Sequence, residues 1–318
     1  MRLKNYFFPV VIVIMMGSMA GCKKSAVSTA STTNGAANAA LAVQVISQAD
    51  DQSRVSTELD NVTVDANIAI ESNASFSGRV QNVLGEFCNA TTVTDTTGTT
   101  KTLTITYNGL NCAGNRMYHG VVVLSIPKGT KWKDAGAVLT IAKQNLKITR
   151  LRDTSSIVLN GVTTITNVTG GRLTDLAPNG TIIYTIASGG ISILFDNGTT
   201  RTWQLAQQRV FTYNNGIVMT TAGTHSENGI SGIAEWGINR LGNAFVTAIS
   251  QPIVVRQDCN YRVVSGQVTH SRLAATVVVT YGLDVTGTAT SCPGTGNYYF
   301  KIVWTDTNNN IKTVILPY

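Results

Sequence analysis

Five cysteines, three histidines and one dense run of basic residues are the parts of this 318-residue sequence with chemistry to offer. Four of the cysteines, Cys88, Cys112, Cys259 and Cys292, lie far from the N-terminus. In an exported chain an even number implies disulfides, with three connectivities open. A four-thiolate zinc site would need Cys-x-x-Cys spacing and a reducing compartment, and that spacing does not occur. His119, His225 and His270 fit no metalloprotease or nucleophile-elbow pattern. His225, Ser226 and Glu227 share a turn-rich stretch that reads as a solvated hairpin tip. No catalytic residue, metal site or cofactor is indicated, and the expectation is a protein that is not an enzyme.

Between residues 128 and 152, Lys128, Lys131, Lys133, Lys143, Lys147, Arg150 and Arg152 face a single acid, Asp134, in a chain whose net charge is +7. With Trp132 among them, these residues form a candidate patch for an anionic surface: lipid phosphate, acidic glycan or an envelope protein. The competing reading is a solvated loop and edge strand, where lysine guards against strand pairing. Parity favours the second, since on a straight strand Lys143 and Lys147 point one way and Arg150 and Arg152 the other. Trp132 either enters an interface or folds back onto the sheet.

The elements that must position these groups begin with an address. Arg2 and Lys4 precede an apolar run from Tyr6 to Met16 and the small residues before Cys22, which describes a secretory signal peptide over residues 1–21. Met19-Ala20-Gly21-Cys22 resembles the lipobox of bacterial lipoproteins, with Met19 where Leu is usual. The resemblance implies that Cys22 is acylated and that its lipid holds the chain on a membrane. Lys23 and Lys24 follow with no acid behind them, which leans towards the outer membrane. In such a compartment nucleic acid is not an expected partner.

Residues 22–40 read as a flexible Ser/Thr/Ala/Asn tether. Residues 41–71 read as one amphipathic helix, with Gln52, Val55, Leu59, Val62, Ala66 and Ala69 in a stripe at spacings of three and four. Val64 and Ile68 widen the stripe to suit packing on a sheet. Asp50, Arg54 and Glu58 recur at i,i+4 on another face.

From residue 72 to 318 the pattern is a Thr-rich antiparallel β-body. Charged residues are only 13% of the chain, against about 25% in an average domain, and Thr, Val and Ile favour strands. Leu103, Ile105 and Tyr107 alternate with threonines, as do Ile182, Tyr184 and Ile186. Trp203, Leu205, Phe211 and Tyr213 share one side, interrupted by Gln207 and Arg209. Asn-Gly pairs at 108–109, 160–161, 179–180, 197–198, 215–216 and 228–229 mark hairpin turns. The expected fold is mainly β: an antiparallel meander or large twisted sheet, in one body or two lobes, with the helix packed on it.

Two segments, about 86–124 and 257–304, look like copies of one module. Cys88-Asn89 is followed by Tyr107 at the end of TLTITY, then by Gly109 and Cys112; Cys259-Asn260 is followed by Tyr281 at the end of TVVVTY, then by Gly282 and Cys292. With a turn at Thr97-Gly98-Thr99, pairing sets Cys88 opposite Asn108, which favours Cys88–Cys112 and Cys259–Cys292.

With a lipobox, a helix of the QADDQSRVSTELDNV type and a cysteine–strand unit near each end, nearly the whole chain resembles Thr-rich lipoproteins of Gram-negative bacteria. The resemblance implies the fold and the address and carries no activity. The first functional expectation is a structural or binding lipoprotein presenting a Thr-rich face to an envelope partner or glycan. The alternative is a lipid or glycolipid carrier, in which a curved sheet shields an acyl chain under the helix; that requires a continuous apolar concavity. Last comes a hydrolase, whose mark would be a cleft with a His or carboxylate pair of displaced pKa.

Overall fold

The computed structural model describes residues 34–78, 88–259, 261–271, 276–292 and 298–318; the expected signal peptide, Cys22 and the first part of the expected tether lie outside them. Helix α1 (Asn34–Ser72) has 39 residues and is about 58 Å long. It starts earlier than its apolar stripe, so residues 34–40 are helical and not tether. Alanine has the highest helix propensity, and the Ala-rich stretch extends a helix already nucleated by the packed turns behind it. A single turn, α2 (Ala74–Ser77), follows, capped by the Asn73 side chain. No described helix is long and apolar enough to cross a membrane.

The strands form one antiparallel sheet. β1 (Ala90–Asp95), β2 (Thr100–Leu110), β3 (Arg116–Pro127), β4 (Ala137–Arg150), β5 (Ser156–Asn167), β6 (Thr181–Phe195) and β7 (Thr200–Tyr213) pair in chain order. Next come β8 (Ile217–Gly223) and the short pair β9 (His225–Glu227) and β10 (Ile230–Ile238). β11 (Ala244–Arg256), β12 (Arg262–Ser271), β13 (Val277–Leu283), β14 (Tyr299–Thr305) and β15 (Ile311–Pro317) then run in order to the far edge. Between β7 and β11 the space is filled by two strands end to end: β10 pairs with Thr202–Leu205 and β8 with Gln207–Tyr213. Both then pair with β11.

Inward-facing residues alternate as expected, with Leu103, Ile105, Tyr107, Ile182, Tyr184 and Ile186 all buried. They face α1, whose stripe residues are buried too. At one axial level of the helix Ser56 meets β10, Glu58 meets β3 and Asp60 meets β7, so the sheet curves around α1. That explains why Glu58, on the second face of the helix, is buried instead of solvated.

The curvature has a local cause. Register shifts by one residue at Gln144–Asn145 in β4 and at Ser188–Gly190 in β6, and such bulges bend a strand and increase its twist. Gly161, at φ +122°, fits the gap between them: a Cβ there would stand 2.6 Å from the Gly190 carbonyl oxygen. Hence the Asn-Gly pair at 160–161 lies inside β5 and not in a turn, and the pair at 108–109 lies inside β2. The other four pairs do join strands.

Each disulfide clasps the open end of one hairpin: Cys88–Cys112 around β1–β2 and Cys259–Cys292 around β12–β13. Asn108 N–H donates to the Asn89 carbonyl at 2.9 Å, next to the first bridge. Instead of two lobes there is one sheet with two main apolar clusters and a third, minor one at Ile233, Val246 and Ala248. The larger main cluster joins Val55–Ile70 of α1 to β2–β7. The smaller main cluster joins Leu41, Val45 and Ala49 to β12–β14.

Candidate binding groove

Where the two main apolar clusters would meet, the helix presents Gln52 and Ser56 and the sheet answers with charge. Arg201 of β7 donates through Nη2 to Gln52 Oε1 and lies over the Phe245 ring at 4.2 Å. Glu235 of β10 accepts from Ser56 Oγ at 3.0 Å and from Gln207 Nε2 at 3.4 Å. His270 of β12 bonds through Nδ1 to Thr247 Oγ1 at 2.8 Å. All three ionisable groups are buried. Loss of water pushes the Glu235 carboxyl up to about 7 despite the charge of Arg201. Burial also lowers Arg201 to about 10 and His270 to about 3.

Other polar groups join α1 to the sheet along its length. Arg240 in the β10–β11 turn bonds Asp51 at 2.7 Å, and burial raises Asp51 to about 6. Glu58 receives Arg116 Nε at 2.7 Å and the Tyr118 hydroxyl at 3.1 Å. Tyr107 donates to Asp65 at 2.8 Å, and desolvation raises that carboxyl to about 6. The displaced carboxyls therefore hold the helix in place, and no described pair of them opens into a cleft as a hydrolytic acid and base would.

Beside this polar junction α1 does not fill the curve of the sheet. An inner cavity of about 110 Å³ lies under residues 52–63, walled by Ile141, Ile186, Leu205, Ile253 and Val268. A second groove of about 160 Å³ runs along α1 past Phe211, Ile217 and Tyr261. The two share Thr57, Asp60, Thr63, Arg209, Met219, Val255 and Val263 in their walls, so they form one passage. Val64 and Tyr261, both exposed, flank its outer end. At the junction Arg209 is paired with Asp60.

The residues of the basic segment part company. Lys128 and Lys133 are exposed near the β3–β4 turn, and Lys131 Nζ donates to the Ser75 carbonyl at 3.2 Å. Trp132 folds back completely: its ring packs 5.2 Å from Tyr184, and its backbone N–H donates to the Phe76 carbonyl at 2.9 Å. Arg150, bonded to Asp153, and exposed Arg152 lie at the other end of β4, about 45 Å away along a strand of 14 residues. Lys143 and Lys147 do not share a face: Lys143 continues the inward series of Leu139 and Ile141, and the bulge at Gln144–Asn145 then puts Lys147 outside. The eight residues do not make one surface, and the patch is withdrawn.

Of the histidines, His119 is exposed, and His225 stacks on Trp236 at 4.3 Å with Glu227 at 3.8 Å. Asp258 lies beside Cys259 and Cys292, but both sulfurs are tied in the disulfide and offer no thiolate to a metal. The residues that sequence reasoning passed over are Arg201 and Glu235; His270 enters the sequence reading but matches no motif. A signal for the first existed: positions 201, 203, 205, 207, 209 and 211 share one parity and are all buried, so the polar members of that series had to point inward.

No match exists. Comparison with protein-family models, with curated proteins and with solved structures finds nothing similar to this chain.

Proposed function

We propose that this chain is a lipid-anchored protein of the bacterial cell envelope that binds an apolar-tailed molecule in the passage between α1 and strands β7, β8, β11 and β12. The observation that carries this reading is that the inner cavity and the outer groove adjoin along α1 and share wall residues, Met219, Val255 and Val263 on the sheet beside Thr57, Thr63 and the Arg209–Asp60 pair. A concave, mostly apolar site with a few placed polar groups is the usual form of a small-molecule site. Binding is favoured over hydrolysis because the carboxyls with displaced pKa values are engaged in docking the helix. The anchor at Cys22 and the outer-membrane address rest on the lipobox and the two lysines behind it; the two disulfides fit an oxidising compartment.

The test is photolabelling of the whole chain in lipid nanodiscs with a diazirine-bearing acyl probe, followed by peptide mapping. Label is expected on α1 near Thr57–Val64 and on β8 and β11, reduced at least fivefold by Ile253→Trp, which fills the inner wall. Label confined to other surfaces, or unaffected by Ile253→Trp, would end the reading.

A further inference from the structure

The aliphatic walls of the inner cavity are interrupted by polar groups, Glu235, Gln207 and the Arg209–Asp60 pair among them, and by one cation that stands apart from these. Lys143 enters the cavity from β4 beside Thr163 of β5, and both line its wall. Lys143 is 3% exposed. Its ammonium donates to Thr163 Oγ1 at 2.7 Å and, more weakly, to the Ile141 carbonyl at 3.4 Å. No carboxylate pairs with it among the described residues, and burial alone depresses its pKa, to about 7. The other cation on the cavity wall, Arg209, is neutralised by Asp60.

A buried ammonium without a counter-ion is costly, and sheets ordinarily avoid it. Here the sheet keeps Lys143 inside and turns the next lysine, Lys147, out. On an unbroken β4 the inward series Leu139, Ile141, Lys143 would continue to Lys147; the bulge moves Leu146 and Ile148 inward in its place. The backbone Asn145 that makes the bulge has φ +48° and is held by the Asn160 side chain, whose Oδ1 accepts its N–H at 2.7 Å. Bulges of this kind re-aim side chains next to functional sites.

Resting on the binding reading above, we infer that Lys143, with Thr163, is the seat for the carboxylate of a single-chain fatty acid whose tail lies in the passage under α1. The charge balance selects the head group: one ammonium with no acid beside it matches one monoanion, and the carboxylate takes the place of the missing counter-ion. A phosphate dianion would leave a second charge buried with nothing opposite it. A neutral alcohol or ester would leave the lysine as it stands. The aliphatic walls accept the tail, and the exposed Val64 and Tyr261 flank the outer end.

The experiment is competition for the acyl photoprobe in the whole chain, comparing palmitate, hexadecanol and hexadecyl phosphate at matched membrane concentrations. Palmitate is expected to compete at concentrations at least tenfold below the alcohol and the phosphate. Lys143→Met should remove that preference while hexadecanol competes as before, and Lys143→Gln should do the same should the methionine variant misfold. Equal competition by acid and alcohol in the native chain, or an acid preference that survives both variants, overturns the seat at Lys143 and leaves the passage standing. Tighter competition by the phosphate overturns the monoanion assignment. Competition by none of the three overturns the passage itself, and the seat with it.

Discussion

Glu235 shows how a residue without an obvious task in the sequence governs a measurable property. Its carboxyl is raised from 4.5 to about 7, chiefly by desolvation. The folded chain therefore holds a proton that the unfolded chain has released between pH 4.5 and 7. Stability contributed by this group falls as pH rises through that window and stays reduced above it. The sign is opposite to that of a salt-bridged surface acid. Glu235→Gln keeps an oxygen to accept from Ser56 and has no ionisation to disfavour. At pH 8 the variant is expected to be more stable than the native chain by about 3 kcal/mol, given roughly 1.4 kcal/mol per pKa unit. At pH 4.5 the two should be equal. Denaturant titrations across this range check it, and a gap independent of pH would show that the carboxyl is not the cause. At the same scale, Lys143 and Lys147 are the same residue type four positions apart, and only one of them is inside. Their spacing predicts a shared face, and the one-residue bulge between them removes it.

At the scale of elements, the alternation of the strands was plain in the sequence and their bending was not. Ile182, Tyr184 and Ile186 occupy even positions and Ile191, Ile193 and Phe195 odd ones, so the change of parity across Ser188-Gly189-Gly190 marks the β6 bulge. The identity of the neighbour that fits against it, Gly161, could not be read, because register between strands depends on which side chains find the core together. The glycine itself supplies a prediction. Gly161→Ala places a Cβ against the Gly190 carbonyl at a positive φ and is expected to cost about 2 kcal/mol or more. Gly189→Ala meets nothing within 4 Å and should change stability by less than about 0.5 kcal/mol. Thermal or urea unfolding of the two variants distinguishes a bend that needs glycine at one position from a strand that is merely weak. The cysteine modules were legible for the opposite reason. A hairpin with its turn at 96–99 brings the two ends of the pair together by geometry alone, and sulfur atoms near those ends must meet.

For the molecule as a whole, the sheet is not a slab with a helix laid on one face. It closes round α1 from several sides, and the helix carries polar links to β2, β3, β7 and β10 in addition to its apolar stripe. Such a body needs no help from the membrane to bury its core, which fits the proposal of a tethered protein standing off a bilayer. That proposal predicts that Cys22→Ala abolishes metabolic palmitate labelling and leaves a precursor that still carries its signal segment. Labelling that persisted in the variant would refute the lipobox.

The sequence by itself determined the fold class, the long helix, the strand alternation and both disulfide pairings, because each follows from local periodicity or from hairpin geometry over short spans. Only the tertiary structure decided that Trp132 and Lys143 leave the basic segment for the interior. It also decided that Arg201, Glu235 and His270 converge from three strands, and that a passage remains beside the helix. These depend on how far the sheet bends and on which strands it brings face to face across α1, and neither is a property of any one stretch of chain.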